Sequence, residues 1–140
     1  MTPQQVSLVR SSFAKVAPIA DSAAKLFYSR LFELDPTLRP LFKSDLETQG
    51  NKLMTMIGGA VNLLDQPEAL IPVVQSLGRR HVGYGVENHQ YETVGAALLW
   101  TLEKGLGADF TVDVKQAWAA TYEVLSNTMK AAANDQFESV

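Results

Sequence analysis

The 140-residue sequence predicts an all-α fold of about seven helices. Apolar residues recur every three or four positions along most of the chain, which is the spacing of amphipathic helices. No segment shows the strict polar–apolar alternation of a strand, and the hairpin pairs Asn-Gly and Asp-Gly do not occur. Capping patterns and prolines also recur at intervals that leave only short connections between helices.

The first two helices are predicted from a cap and a proline. Thr2-Pro3-x-Gln5 is a capping box with proline at the first helical position, so a helix begins there. Pro18 is expected to end or kink it, since proline lacks an N–H donor. The second helix carries apolar residues at helical spacing, namely Ala24, Phe27, Tyr28, Leu31 and Phe32.

The next two helices are also predicted from caps. Asp35-Pro36 caps a short third helix that contains Leu38, Leu41 and Phe42. Ser44-x-x-Glu47 is a second capping box and predicts the start of a fourth helix with a broad apolar face. Gly58-Gly59 lies inside this helix, where we expect close helix packing to account for it.

Three more helices are predicted in the second half of the chain. One begins at Pro67-Glu68 and stops at Gly83 and Gly85, because glycine is favoured just after a helix end. Another runs from about Asn88 to Leu106, and the last opens at Thr111. The whole chain, residues 1–140, is expected to form one domain, with residues 134–140 a frayed polar tail.

Composition excludes several classes of function. Twelve Lys and Arg against 15 Asp and Glu give a net charge of −3, without the basic surface expected of a nucleic-acid-binding protein. No apolar stretch approaches the roughly 18 residues that cross a bilayer, and the first residues lack the features of a signal peptide. With no cysteine there is no disulfide framework or thiolate site. We therefore expect a cytoplasmic domain that binds neither nucleic acid nor membrane.

Four polar residues fall on apolar helix faces. His81 follows Leu77 by one turn, and its ring nitrogens need either a metal or hydrogen bonds. Gln49 precedes Leu53 by one turn and is either directed along the apolar face or partly exposed. Tyr28 and Tyr91 lie within apolar stripes, where a buried hydroxyl normally finds a partner such as a backbone carbonyl.

Catalytic motifs with other chemistry are not found. There is no Gly-x-Ser-x-Gly nucleophile elbow, no His-Glu-x-x-His zinc signature and no glycine-rich phosphate loop that ends in Gly-Lys-Ser/Thr. No catalytic residue is therefore assigned.

The order and spacing of several motifs resemble the bacterial single-domain globins, which are related to the heme domain of flavohemoglobins. The resemblance covers residues 3–130 without large gaps. It rests on five motifs, which are Leu26-Phe27-Tyr28, Pro36-Thr-Leu-Arg-Pro-Leu-Phe42, Leu-Gly-Arg-Arg-His81, Tyr91-x-x-Val94-Gly95 and Ala117-Trp118-x-x-x-Tyr122, together with the single residue Gln49.

The resemblance implies a globin fold around a heme b pocket. His81 is then the axial ligand of the heme iron, and Phe42 is the ring that wedges the porphyrin. Tyr28, Gln49 and Leu53 line the opposite, gas-binding side. The further heme contacts implied are Leu77, Val86, Tyr91 and Val94, with Lys52 or Arg80 near the propionates.

A globin of this kind implies reversible binding of O2, CO and NO for oxygen storage, scavenging or transport. The related alternative is a nitric oxide dioxygenase, which converts nitric oxide and oxygen to nitrate and here needs a separate reductase. A gas sensor is the third alternative. The family also places a glutamate near the axial histidine, and in this sequence that position falls at Ala133. Its loss is expected to weaken the electron donation of His81.

Overall fold

Six α-helices and three short 3₁₀ helices make up most of the described chain, with no strand among them. The computed structural model describes residues 1–42, 45–83 and 89–138, with side chains for all of these except 81–83 and 133–138. The α-helices are α1 (Pro3–Val16), α2 (Ala20–Leu34), α3 (Leu46–Asn62), α4 (Pro67–Gly83), α5 (Gln90–Leu106) and α6 (Val112–Glu138). The 3₁₀ helices are Ala17–Ile19, Pro36–Leu41 and Gly107–Asp109.

Most of the predicted helix starts are confirmed by hydrogen bonds. The Gln5 backbone N–H donates to the Thr2 hydroxyl at 3.1 Å, and the Thr2 N–H donates to the Gln5 side chain at 3.0 Å, which completes the capping box. The Thr111 hydroxyl accepts from the Val114 N–H at 3.2 Å at the start of α6. Pro18 lies in the 3₁₀ turn that separates α1 from α2.

Two of the predicted boundaries are corrected by the structure. The cap of α3 is Asp45, whose carboxylate accepts from the Thr48 N–H at 2.9 Å, and not Ser44, which lies outside the described residues. A carboxylate also complements the positive end of the helix dipole, which favours it as a cap. The third helix is a 3₁₀ helix that ends at Leu41, because Pro40 offers no N–H donor, and Phe42 follows in extended backbone.

The ends of α4 and α6 agree with the sequence as far as they are described. Helix α4 begins at Pro67 and ends at Gly83, whereas Gly85 and Asn88 lie outside the described residues. Helix α6 is helical to Glu138, and the fraying expected of residues 134–140 stays a prediction. No helix in the described ranges is long and apolar enough to cross a membrane.

A buried core joins α1 and α6 to the helices between them. Trp118 on α6 is 2% exposed, and its indole N–H donates to the Ser12 hydroxyl on α1 at 2.8 Å. Around it lie Val9, Val61, Leu102 and Ala117 from four helices. This packing fixes the scaffold on which α2, α3 and α4 are held.

Close helix approach occurs at Gly50, Gly78 and Gly95 and not at Gly58-Gly59. A Cβ on Gly50 would stand 2.8 Å from the Cβ of Ala24, and one on Gly78 would stand 2.5 Å from the Met129 carbonyl oxygen. A Cβ on Gly58 would make only an ordinary contact, and one on Gly59 would meet nothing within 4 Å. The expectation for Gly58-Gly59 was therefore wrong.

Candidate functional site

Tyr28 on α2 stands in a cage of aromatic rings. Its ring centroid lies 5.2 Å from that of Phe27, 6.0 Å from Phe32 and 5.3 Å from Phe42. Tyr28 is only 5% exposed, and burial raises the pKa of its phenol to about 12. Nevertheless, no group among the described residues is hydrogen-bonded to its hydroxyl. Among the described residues, the backbone-carbonyl partner considered from the sequence is not found, and the hydroxyl keeps its proton.

Three further candidate residues share the cluster of Tyr28. Phe42 after the 3₁₀ helix, Leu53 on α3 and Val94 on α5 all pack against it. Each of these apolar side chains is half-buried, so each keeps a surface that an apolar ligand could cover. The structure thus brings together four residues that are far apart in sequence.

Gln49 lies in the first turn of α3, next to Gly50. The close approach of Gly50 to Ala24 brings this turn of α3 against α2, one turn before Tyr28. Gln49 is half-buried, and no hydrogen bond of its amide side chain is found among the described residues. Gln49 is therefore partly exposed and still lies in the turn of α3 that packs near Tyr28.

Tyr91 and Leu77 belong to a second cluster, between α4, α5 and α6. Tyr91 is 6% exposed and packs with Leu70 and Val74 of α4 and with Met129 of α6, while Leu77 lies at the edge of this cluster. Burial raises the pKa of the Tyr91 phenol. The Tyr122 hydroxyl donates to the Tyr91 carbonyl oxygen at 2.6 Å and fixes this end of α5. The second cluster is thus distinct from that of Tyr28.

Helices α3 and α4 pack mainly on different neighbours. Helix α3 packs mainly on α2 and α1, whereas α4 packs mainly on α6. Helix α3 contributes Leu46 and Leu53 to the cluster of Tyr28, and α4 contributes Leu70 and Val74 to the cluster of Tyr91.

Lys52 and Arg80 are exposed cations on different helices. Lys52 lies three residues after Gln49 on α3, and Arg80 lies in the last turn of α4. Neither makes an ion pair with any residue that the structure describes. Their predicted place near the propionates stays a prediction.

The role of every predicted site residue stays a prediction, and two of these residues have no described side chain. The backbone of His81 lies in the last turn of α4, but its side chain is outside the described part of the structure. Val86 lies wholly outside the described residues. Their roles stay predictions.

The comparisons with known proteins agree with this geometry. The globin family model matches residues 25–129. The flavohemoprotein of Xylella fastidiosa strain 9a5c is 28% identical over 132 residues, which cover 92% of this chain and 33% of that protein. Neuroglobin of Danio rerio is 28% identical over 143 residues, which cover 92% of this chain and 90% of that protein.

A solved structure is similar over nearly the full length. It is the engineered carbene transferase RmaNOD from Rhodothermus marinus, whose description marks it as a candidate nitric oxide dioxygenase. The TM-score is 0.88 at 25% sequence identity, with 99% of this chain and 96% of that chain covered. The chain belongs to the globin family, and it spans about a third of the length of the flavohemoproteins it resembles.

The residues present fit a heme. Globins are heme proteins, and the half-buried apolar side chains around Tyr28 are ones that a porphyrin would cover. The Tyr28 hydroxyl has no hydrogen-bond partner among the described residues, and it is not one of their fully buried unpaired atoms, so it remains accessible to a bound group. A polar ligand in the pocket would supply its acceptor.

Three glycines whose packing role the sequence did not reveal hold the two clusters in place. Gly50, Gly78 and Gly95 permit helix contacts that a Cβ would block. A Cβ on Gly95 would stand 2.7 Å from the ring of Tyr122. The signal was present, because a glycine inside a helix costs about 1 kcal/mol relative to alanine and so indicates a packing role. The sequence did not show which of the helix glycines had a packing role.

Proposed function

We propose that this chain binds heme through His81 and reversibly binds oxygen and other diatomic gases, for oxygen storage, scavenging or transport. A neutral imidazole is a suitable iron ligand, and the last turn of α4 carries the only histidine on that helix. When bound, heme supplies an iron whose open axial position takes O2, CO or NO. The absence of cysteine favours heme b, because covalent heme attachment uses cysteine.

The unpaired hydroxyl of Tyr28 carries this proposal. In a pocket of low polarity its O–H donates to a gas molecule with partial negative charge, which stabilises that molecule by roughly 1–3 kcal/mol. The pKa of about 12 keeps the proton on the phenol at every physiological pH. The rings of Phe27, Phe32 and Phe42 pack around the phenol and hold its ring in place.

The other site residues complete the pocket. Gln49 adds a second donor from α3, and Leu53 packs beside it and limits the space available to a ligand. Phe42 and Val94 contact the porphyrin, as do Leu77 and Tyr91 from the second cluster. Lys52 or Arg80 pairs with the propionates. With two donors we expect tight oxygen binding and slow release, in a cytoplasmic protein of bacterial type.

An optical spectrum tests the gas-binding proposal. The chain is reconstituted with hemin, reduced without oxygen, and recorded before and after oxygen is added. We expect a five-coordinate reduced spectrum that changes to a long-lived oxygen-dependent one. A six-coordinate reduced spectrum would show an internal ligand, and oxidation within seconds of oxygen addition would show an unguarded pocket; either result contradicts reversible oxygen binding.

A nitric oxide dioxygenase is the second candidate, favoured by the similarity to RmaNOD and to flavohemoproteins. In that reaction NO and O2 combine with one electron to give nitrate, and a separate reductase supplies the electron. We expect sustained NO consumption and one nitrate per NO when the heme-loaded chain is mixed with a flavin reductase and NADH. A single turnover without further consumption would leave oxygen binding as the function.

A further inference from the structure

Lys130 on α6 places a positive charge beside the second cluster. Its Nζ lies 5.7 Å from the ring centroid of Tyr91, in a cation–π contact. Lys130 is half-buried and makes no ion pair with any described residue. The charge is therefore held close to the protein, and no carboxylate among the described side chains is paired with it.

The residue that receives this contact is buried. Tyr91 is 6% exposed, and its carbonyl oxygen accepts the Tyr122 hydroxyl hydrogen bond at 2.6 Å. The Tyr122 ring packs against Gly95, which has no Cβ to block it. Lys130 thus lies over an aromatic ring that is packed into the protein.

The same part of α6 touches α4 next to the predicted iron ligand. Met129, the residue before Lys130, meets the α4 backbone at Gly78, where an added Cβ would be 2.5 Å from its carbonyl oxygen. His81 follows Gly78 by three residues, which is one turn or about 4.5 Å along the helix axis. The charge on Lys130 therefore lies at the level of α4 that carries His81.

Other charged groups at this end of the molecule do not cancel it. Arg79 and Arg80, in the last turn of α4, are exposed and carry the same sign. Glu92 follows Tyr91 on α5 and is exposed, and it is not paired with Lys130. A positive charge stabilises the state of a nearby iron with the lower charge, which is the ferrous state.

We propose that Lys130 is a positioning charge that raises the reduction potential of the iron held by His81 and so favours the gas-binding ferrous protein. This inference rests on the proposed heme function. The charge on Lys130 is opposite in sign to that of a carboxylate beside the histidine. Such a carboxylate would increase electron donation by the histidine and so favour the ferric state.

Spectroelectrochemical titration of the heme-loaded protein tests the inference. We expect a lower midpoint potential in Lys130→Gln, a still lower one in Lys130→Glu, and an almost unchanged one in Lys130→Arg. Salt should shrink the differences, because Lys130 is partly exposed to solvent.

Lys104→Gln is the matched control. Lys104 also lies 5.7 Å from an aromatic centroid, that of Trp100, but it is thirteen residues from Tyr91 on α5, about 20 Å at 1.5 Å per residue. We expect this variant to keep the wild-type potential. Equal potentials in wild type and Lys130→Gln, or equal shifts in both glutamine variants, would overturn the inference while leaving heme binding intact. Failure of the wild-type chain to bind heme would instead refute the proposed function, and the inference with it.

Discussion

Replacing Tyr28 with phenylalanine separates the functional role of this residue from its structural one. The change removes the hydroxyl and keeps the ring contacts with Phe27, Phe32 and Phe42. Because the hydroxyl has no partner among the described residues, its loss breaks no known protein hydrogen bond. We expect the free energy of unfolding of the heme-free protein to change by less than about 1 kcal/mol.

The same substitution should have a large effect on gas release. One neutral hydrogen bond to the ligand is worth about 1.4 kcal/mol in a site of low polarity, which corresponds to roughly tenfold faster oxygen dissociation. Stopped-flow measurement of oxygen release from the reduced, heme-loaded protein gives the rate, and urea denaturation of the heme-free protein gives the stability.

Tyr122→Phe is the matched control for this experiment. The Tyr122 hydroxyl donates to the Tyr91 carbonyl at 2.6 Å, so its removal takes away one partly buried hydrogen bond and should cost about 0.5–1.5 kcal/mol of stability. Oxygen release should stay close to that of the wild type. The reasoning is refuted if Tyr28→Phe destabilises the protein as much as Tyr122→Phe does, or if it leaves the release rate unchanged.

Three other outcomes are expected. Gly78→Ala should lower the free energy of unfolding by about 1–3 kcal/mol and weaken heme retention, because its Cβ would stand 2.5 Å from the Met129 carbonyl oxygen. Gly59→Ala has free space and should be neutral or slightly stabilising, and thermal denaturation of both variants measures the difference. Oxygen release should not vary between pH 6 and about pH 10, since the pKa of Tyr28 is about 12 and the donor keeps its proton; a tenfold rise in that range would contradict this. The folded state holds the Tyr28 proton more tightly than the unfolded state does, so stability should fall by about 2–3 kcal/mol from pH 10 to 12, and this part of the loss should be absent in Tyr28→Phe.

Much of the fold could be predicted from local signals in the sequence. The Thr2 capping box, Pro67 and Thr111 each begin a helix where expected, because the side chains that satisfy helix ends are close in sequence. The cap of α3 could not be chosen correctly, since Ser44 and Asp45 are both good capping residues and only the observed geometry decides between them.

The candidate site was predicted only in part. The resemblance implied that Tyr28, Phe42, Leu53 and Val94 line one pocket; the structure places them in one cluster, and their roles toward a heme stay predictions. Contacts between distant segments left no periodic signal, so the approach of α4 to α6 could not be predicted. Nor could the position of Lys130 over Tyr91, because a lysine on a helix surface usually lies in solvent.

The most direct test of the central claim is the heme affinity of His81→Gly with and without imidazole. If His81 is the axial ligand, the variant should lose most of its heme, and added imidazole should restore both binding and the wild-type reduced spectrum, since free imidazole can fill the space left by the side chain. A variant that binds heme with unchanged affinity and an unchanged spectrum would show that another residue holds the iron.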